Sequence, residues 1–594
     1  MALRSCILIG ILFSLNYLHA TNYYYSESVG NDNWTGRIPY PNASQTDGPR
    51  KSLTSFNNLL NSVLKPGDSL FLLRSDRWIG NTGIVSNAAQ GFPGQYIFVG
   101  AYGIGNKPVI QKTGTGEILL CRGSANAASS YLMFKDLALI SNAPVGSRPV
   151  GVYILEAFYP NKPHHIILDG LFISGCQSGM ILYQNNIVVQ NCLLEKNGND
   201  NQGQGIFCSA TEVEFKNNVL DSNGCGSVFV HSIYISQTKN ILFEGNEIKN
   251  ADDGLKLRAS ENLIIRNNRI HNTYIHTIHV GGDESSGTKN VIIEGNLIYD
   301  APQGLRISSE SGTQTLPSEN IVIRNNIFPA LVHFSNNGPL KDVIFANNLI
   351  HSGLNQPALL LSQAINPMNL QIKNNIFYKT TSNSNHTLLQ FVSTSGLNGI
   401  AMDHNLYYFP VGSNNLISLG NTTFNSLSNF RNNHPGQETN GLYGNPNFLS
   451  PPHDFHLTPA SHLAIDKGAD MSNLVTMDFD GMPRPVDGDG TGGAAWDIGP
   501  FEFCCLVNNS SDHPITPPVA VFPNPCNHWL TINVTVEIAH EFKLINLFGQ
   551  TVKTFLFPQG IHQISLLNLP KGCYTLQYYK QGSTDFRNTL LVIH

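Results

Sequence analysis

The chain has 594 residues, too many for one ordinary core, so several domains or a stacked repeat are expected. Hydrophobic residues make up 41% and charged residues 13%, which leaves Asn, Ser, Thr and Gly to supply the polar surface. A formal charge of −6, with Lys and Arg scattered, provides no basic stripe and excludes nucleic acid as an expected partner.

Residues 1–20 read as a signal peptide: Arg4 is the positive start, Ile7 to Leu15 the apolar run and Ala20 the small residue at the cut. That run is too short to span a bilayer, and no later segment reaches about 18 unbroken apolar residues. Its removal leaves Cys121, Cys176, Cys192, Cys208, Cys225, Cys504, Cys505, Cys526 and Cys573. Export permits disulfides, none of the spacings is that of a zinc site, and Cys526 with Cys573 is one plausible pair. The odd count leaves at least one thiol unpaired or facing another chain.

The opening carries YYYSESVGNDNWTG at 23–36, LKPGDSLFL at 64–72 and FVGAYGIGNKPVI at 98–110. These stretches resemble the start of secreted bacterial β-helix proteins. The resemblance implies a cap and a first coil; many such proteins are lyases of alginate, pectin or chondroitin.

Along the middle a unit N-aliphatic-x-aliphatic-x-[NG]-N-x-aliphatic recurs, as NILFEGNEI at 240–248, NLIIRNNRI at 262–270 and NVIIEGNLI at 290–298. Its seventh-position asparagines are Asn218, Asn246, Asn268, Asn296, Asn326, Asn348, Asn375 and Asn405, separated by 28, 22, 28, 30, 22, 27 and 30 residues. Alternating aliphatics demand period 2, hence strands. No coil buries its own apolar face, so neighbours stacked about 4.8 Å apart complete the core. The fold expected over 21–440 is a right-handed parallel β-helix with an N-terminal cap. Asparagine at the seventh position tolerates left-handed backbone angles and can bond its equivalents above and below.

About ten residues after each asparagine comes a second strand, as GLKL, TIHV and GLRI. Two aliphatics point inward, so the residue between them points out. Stacked coils then align Tyr234, Lys256, His279, Arg306 and His333, the last at an offset of only seven residues from its asparagine. Three residues earlier a second column holds His231, Asp253, His276 and Gln303, flanked by Asp252 and Arg258. Exposed strand faces are often polar, which accounts for any one of these residues. It does not account for three stacked cations, which repel unless an anion lies across them.

Such a groove suits an acidic polysaccharide. A uronate lyase neutralises the carboxylate, abstracts the C5 proton and protonates the leaving oxygen. Lys256 is a candidate base, because His279, Arg258 and Arg306 disfavour its charged form. Arg306 or Arg258 would pair the carboxylate, and Tyr234 or His279 would donate the proton. His276 oriented by Asp253 is an equal candidate base. A hydrolase instead needs two carboxylates, for which Asp252 and Asp253 are the pair.

The order ADDGLKL at 251–257, IHTIHVGG at 275–282 and GLRIS at 304–308 resembles the polygalacturonase family. The resemblance implies carboxylate roles for Asp252 and Asp253, with His276 and Arg306 as substrate contacts. The chain departs from it at His231, where the family has an aspartate, at Ile275 and Thr277 in place of glycines, and at Ser308 in place of a lysine.

From about 400 the repeat fades. Residues 445–470 and 478–503 are similar to a tail that closes many such β-helices, so 441–503 is read as that tail. Its acidic run (Asp478, Asp480, Asp487, Asp489, Asp497) makes calcium the one candidate cofactor, although the spacing of a calcium loop is missing and turn aspartates are favoured. A polar linker over 504–517 follows. VFPNPCNHWLTI at 521–532, LINLFGQTV at 544–552 and LNLPKGCYTLQY at 567–578 resemble the type IX secretion sorting domain of Bacteroidetes, which implies a small β-sandwich at 518–594. That resemblance implies contact with the secretion machinery and a secreted or surface-held product. A monomer is expected. Taken together, the sequence favours an enzyme on acidic polysaccharide, lyase before hydrolase, over a noncatalytic binding or adhesion protein using the same groove.

Overall fold

The computed structural model describes residues 20–155, 161–198, 203–227, 229–284, 286–308, 316–329, 331–334, 339–352, 356–362, 367–379, 387–392, 397–409 and 415–503, and most strand residues between 519 and 593. Residues 1–19 of the expected signal peptide, the linker, and Cys504, Cys505 and Cys526 lie outside the described residues. The chain forms two units, 1–505 and 506–594.

The first unit is a parallel β-helix. Each N-aliphatic-x-aliphatic unit is a strand whose alternate residues turn inward, as Ile241 and Phe243 do. These strands stack into a 14-stranded parallel sheet from Asn22–Tyr25 to Ile400–Asp403. The other strands of every coil join a second, 26-stranded set. At the N-terminal end the helix Leu53–Ser62 buries Leu53, Phe56, Leu59 and Leu60. Its N-cap Ser52 accepts a hydrogen bond from the Ser55 amide, and Phe56 meets Tyr25 edge-on at 5.0 Å. At the far end an antiparallel hairpin, Ile417–Leu419 with Thr422–Phe424, blocks the open edge, and the helix Leu427–Asn433 packs Phe430 on Phe424.

The asparagines form a continuous buried ladder. Each Nδ2 donates to the next Oδ1 at 2.9–3.1 Å, from Asn218 through Asn246, Asn268, Asn296, Asn326, Asn348 and Asn375 to Asn405. Glu438 ends it, accepting from Asn405 Nδ2 at 2.6 Å and from the Tyr407 hydroxyl at 2.8 Å. The left-handed residue is not the ladder asparagine, as expected from sequence, but its predecessor. Gly245 (φ 67°), Asn267 (56°), Gly295 (63°), Asn325, Asn347 and Asn374 (53–56°) take that conformation, which explains the [NG] choice there. This turn frees the next side chain to point inward and bond along the axis.

The tail over 441–503 lies along the side of the coils: Met471, Val475 and Trp496 pack on Ala346, and Phe448, Phe455 and Ile465 share a core with Leu349 and Ile376. Cys121, Cys176, Cys192, Cys208 and Cys225 are free thiols, the first four buried. In the second unit, antiparallel sheets of three and four strands share a core of Leu530, Ile532, Phe542, Leu544 and Leu576. Among the described residues no helix is long and apolar enough to cross a membrane.

Candidate functional site

Two strands are unusually long, Glu247–Arg258 and Arg269–Gly281. Each runs through the corner that other coils break, with a register shift between Ala251 and Asp253. With His231–Ser236 above and Gln303–Ile307 and Leu331–Phe334 below, they form one face. Ile233, Ile235, Leu255, Leu257, Ile278, Val280, Leu305 and Ile307 fill the interior, so the residues between them face outward.

The register aligns Tyr234 with Lys256, Lys256 with His279, His279 with Arg306 and Arg306 with His333. The second column pairs His231 with Asp253 and Asp253 with His276. Asp253, 3% exposed, is clamped from both sides: His231 Nδ1 lies 3.0 Å from Oδ2 and His276 Nδ1 2.8 Å from Oδ1, and the His276 amide donates at 3.1 Å. Burial alone would raise its carboxyl; the two histidine hydrogen bonds outweigh burial and hold it well below the usual carboxylate range.

Arg306 Nη1 lies 3.1 Å from His276 Nε2. Arginine can only donate, so Nε2 accepts and the His276 proton sits on Nδ1, facing Asp253. The chain Asp253–His276–Arg306 therefore orients the guanidinium. Its Nε is buried and has no hydrogen-bond partner among the described residues. Because Arg306 occupies the Nε2 lone pair, His276 is poorly placed as a base.

Lys256 is 9% exposed. Burial, opposed by Asp253 and reinforced by Arg258 and Arg306, brings its ammonium down to about 8. Arg258 Nη1 donates to the Tyr234 hydroxyl at 3.2 Å. His279 bonds Ser308 Oγ through Nε2 at 2.7 Å, and burial with nearby cations pushes its pKa well below the ordinary histidine value, so it is neutral. His333 repeats the arrangement with Ser362 at 2.7 Å and falls to about 4 for the same reasons, burial first and then Arg306 and His276. Ser362 escaped the sequence reading and Ser308 entered it only as a departure from a family lysine, although each lies two residues past the aligned strand position.

Two expected members stand apart. Asp252 Oδ2 accepts from the Gly226 amide at 2.6 Å, so consecutive strand residues send the two carboxylates to different partners. Gln303 aligns with Leu331, and its buried Oε1 has no hydrogen-bond partner among the described residues. Of the acidic run, Asp487 and Asp489 approach Asp466, with ligand atoms within 4.8 Å of one another. Asp478 and Asp497 instead accept backbone amides.

Three family models match parts of the chain. Residues 228–350 match the right handed beta helix region, which covers the whole column face. The fold is a right-handed parallel β-helix. Residues 121–285 match the periplasmic copper-binding protein NosD, and residues 520–592 the secretion system C-terminal sorting domain. The last match marks the chain for export. Similar solved structures include pectate lyase Pel9A (14% identity, 81% of this chain and 96% of that one, TM-score 0.33). A PL6 family polysaccharide lyase from Pseudopedobacter saltans is 12% identical over 66% and 90%, TM-score 0.32. The Streptococcus pneumoniae surface adhesin PfbA is 11% identical over 59% and 88%, TM-score 0.38. None is near enough to pass on an activity, and no curated protein matches.

Proposed function

We propose that this exported β-helix cleaves an acidic, uronate-containing polysaccharide by β-elimination. The observation that carries the reading is a buried lysine between two arginines, beside a carboxylate clamped by two histidines. The polymer lies along the helix axis across the cation column. Arg306, oriented through His276, pairs the uronate carboxylate and makes the C5 proton more acidic. Neutral Lys256 Nζ takes that proton. As the C4–C5 double bond forms, the C4–O bond breaks and the Tyr234 hydroxyl protonates the leaving oxygen, its phenolate steadied by Arg258. Lys256 then returns its proton to water, and Tyr234 regains one.

His279 is a weaker candidate donor than Tyr234, because a neutral imidazole bonded to serine has little acidity to offer. The polygalacturonase-like reading loses support, since an inverting hydrolase needs a carboxyl kept protonated, and Asp253 is held ionised. Arg258 holds the Tyr234 hydroxyl and His231 clamps Asp253, and we give His333 substrate contact only. The copper described for NosD wants nitrogen or sulfur ligands; among the described residues the one trio of possible ligands whose atoms all lie within 4.8 Å of one another is carboxylate throughout. Calcium is the cation that trio would suit, and no step of the reaction is routed through it.

The test is a panel of uronate polymers incubated with the exported protein. Ultraviolet absorbance from an unsaturated uronate, lost in Lys256→Ala and Arg306→Ala, is the expected result. Reducing ends without that absorbance would mean hydrolysis, and binding without either would mean a noncatalytic groove.

A further inference from the structure

North of the cation column the same outward position becomes aromatic. The register runs from Tyr234 back to Phe207, Ile181 and Tyr153 on successive coils. Tyr183, just past its strand, fills the rung that isoleucine leaves: ring centres are 6.1 Å apart for Tyr153–Tyr183, 5.6 Å for Tyr183–Phe207 and 5.7 Å for Phe207–Tyr234. The rings are tilted at 51–68° and each is partly exposed. The strands that carry this stretch, VGVYI at 150–154, SGMIL at 178–182 and IFC at 206–208, contain no Asp, Glu, Lys, Arg or His. Among the described strand residues, the outward row thus changes from aromatic and uncharged to cationic within one coil, at Tyr234.

The geometry points to a run of sugar-stacking subsites over Tyr153, Tyr183 and Phe207, which hold the polymer on the N-terminal side of the cleavage point. Two rung steps of about 4.8 Å separate Tyr153 from Phe207, and a third reaches Tyr234, so the aromatic row runs roughly 15 Å up to the cleavage point, enough for two or three sugar units. A pyranose ring presents an apolar C–H face that packs on an aromatic ring while its hydroxyls stay in water. An uncharged platform leaves the carboxylates on that side unbound, so it selects for length and ring-face shape. Charge is read only at Lys256 and Arg306. This inference deepens the lyase reading and rests on it for the choice of polymer.

The experiment measures affinity for uronate oligosaccharides of increasing length, using Lys256→Ala protein so that nothing is consumed. Affinity should rise with length. Phe207→Ala and Tyr183→Ala should each flatten that rise, with a loss of tenfold or more for the longest ligand and little change for a disaccharide. Tyr183 lies outside the strands, so its variant reports on binding even if Phe207→Ala fails to fold. Equal length dependence in a folded Tyr183→Ala protein would overturn the inference, as would a series in which no oligosaccharide binds. If the aromatic variants weaken binding but no polymer is ever cleaved, the stacking platform stands and the lyase reading falls. Cleavage with unaltered binding in the variants means the reverse.

Discussion

At the scale of single residues, the proposed elimination rests on Lys256. It lies among Asp253, Arg258 and Arg306, and with its ammonium brought down to about 8 a useful fraction is neutral in mildly alkaline solution. The base must be deprotonated, so kcat/KM should rise with pH through about 8 and level off above it. Removal of a positioned general base typically costs 10²- to 10⁴-fold. Lys256→Ala and Arg306→Ala should each lose about that much while Tm hardly moves, since neither side chain fills the core; a large fall in Tm would make the column structural. The outward identity of these residues was legible, because period 2 fixes which side chains share a face. The hydrogen bonds were not. Asp252 and Asp253 fall in different positions by period 2, but their partners, the Gly226 amide and the His231 and His276 rings, were not legible.

At the scale of the coil, the asparagine ladder joins each rung to the next from Asn218 to Asn405. Asn296 accepts from both the amide and Nδ2 of Asn268 and donates to Asn326 and to the Ile265 carbonyl. Asn296→Ala leaves buried donors and an acceptor unmet, which costs about 1–3 kcal/mol each; chemical denaturation should show a loss of at least that size. The ladder was readable from its spacing. Its left-handed turn was assigned one residue too late, because asparagine suits both the turn and the rung, and the alternative glycines at 245 and 295 were the available signal. Glu438 ends the ladder fully buried, and its carboxyl rises to about 7, burial being the main cause. A folded carboxyl that keeps its proton more tightly than the unfolded one stabilises fully below the ordinary pKa near 4.5, and that contribution is lost as pH rises through about 7. Glu438→Gln should remove this slope, worth about 3 kcal/mol, from a plot of unfolding free energy against pH. An unchanged slope would place the titration elsewhere.

At the scale of the whole molecule, the chain divides at about residue 505 into a solenoid and a small sheet domain with separate cores. The sorting motifs of the second unit were legible because they recur as short ordered strings, and the solenoid because its repeat is regular. Deletion of 520–592 should leave the calorimetric transition of the solenoid in place and block passage across the outer membrane. Secretion of the truncated chain at the full-length rate would contradict the export role. Function was less legible than fold, since one outward column serves lyase, hydrolase and adhesin alike until its proton positions are known.

The most direct measurement is the mass of the products released from a uronate polymer by the intact protein and by Lys256→Ala. β-Elimination gives new non-reducing ends lighter by one water than those of hydrolysis, and Lys256→Ala should release almost none. Products carrying the full water, or equal release by Lys256→Ala, would contradict proton abstraction by this lysine.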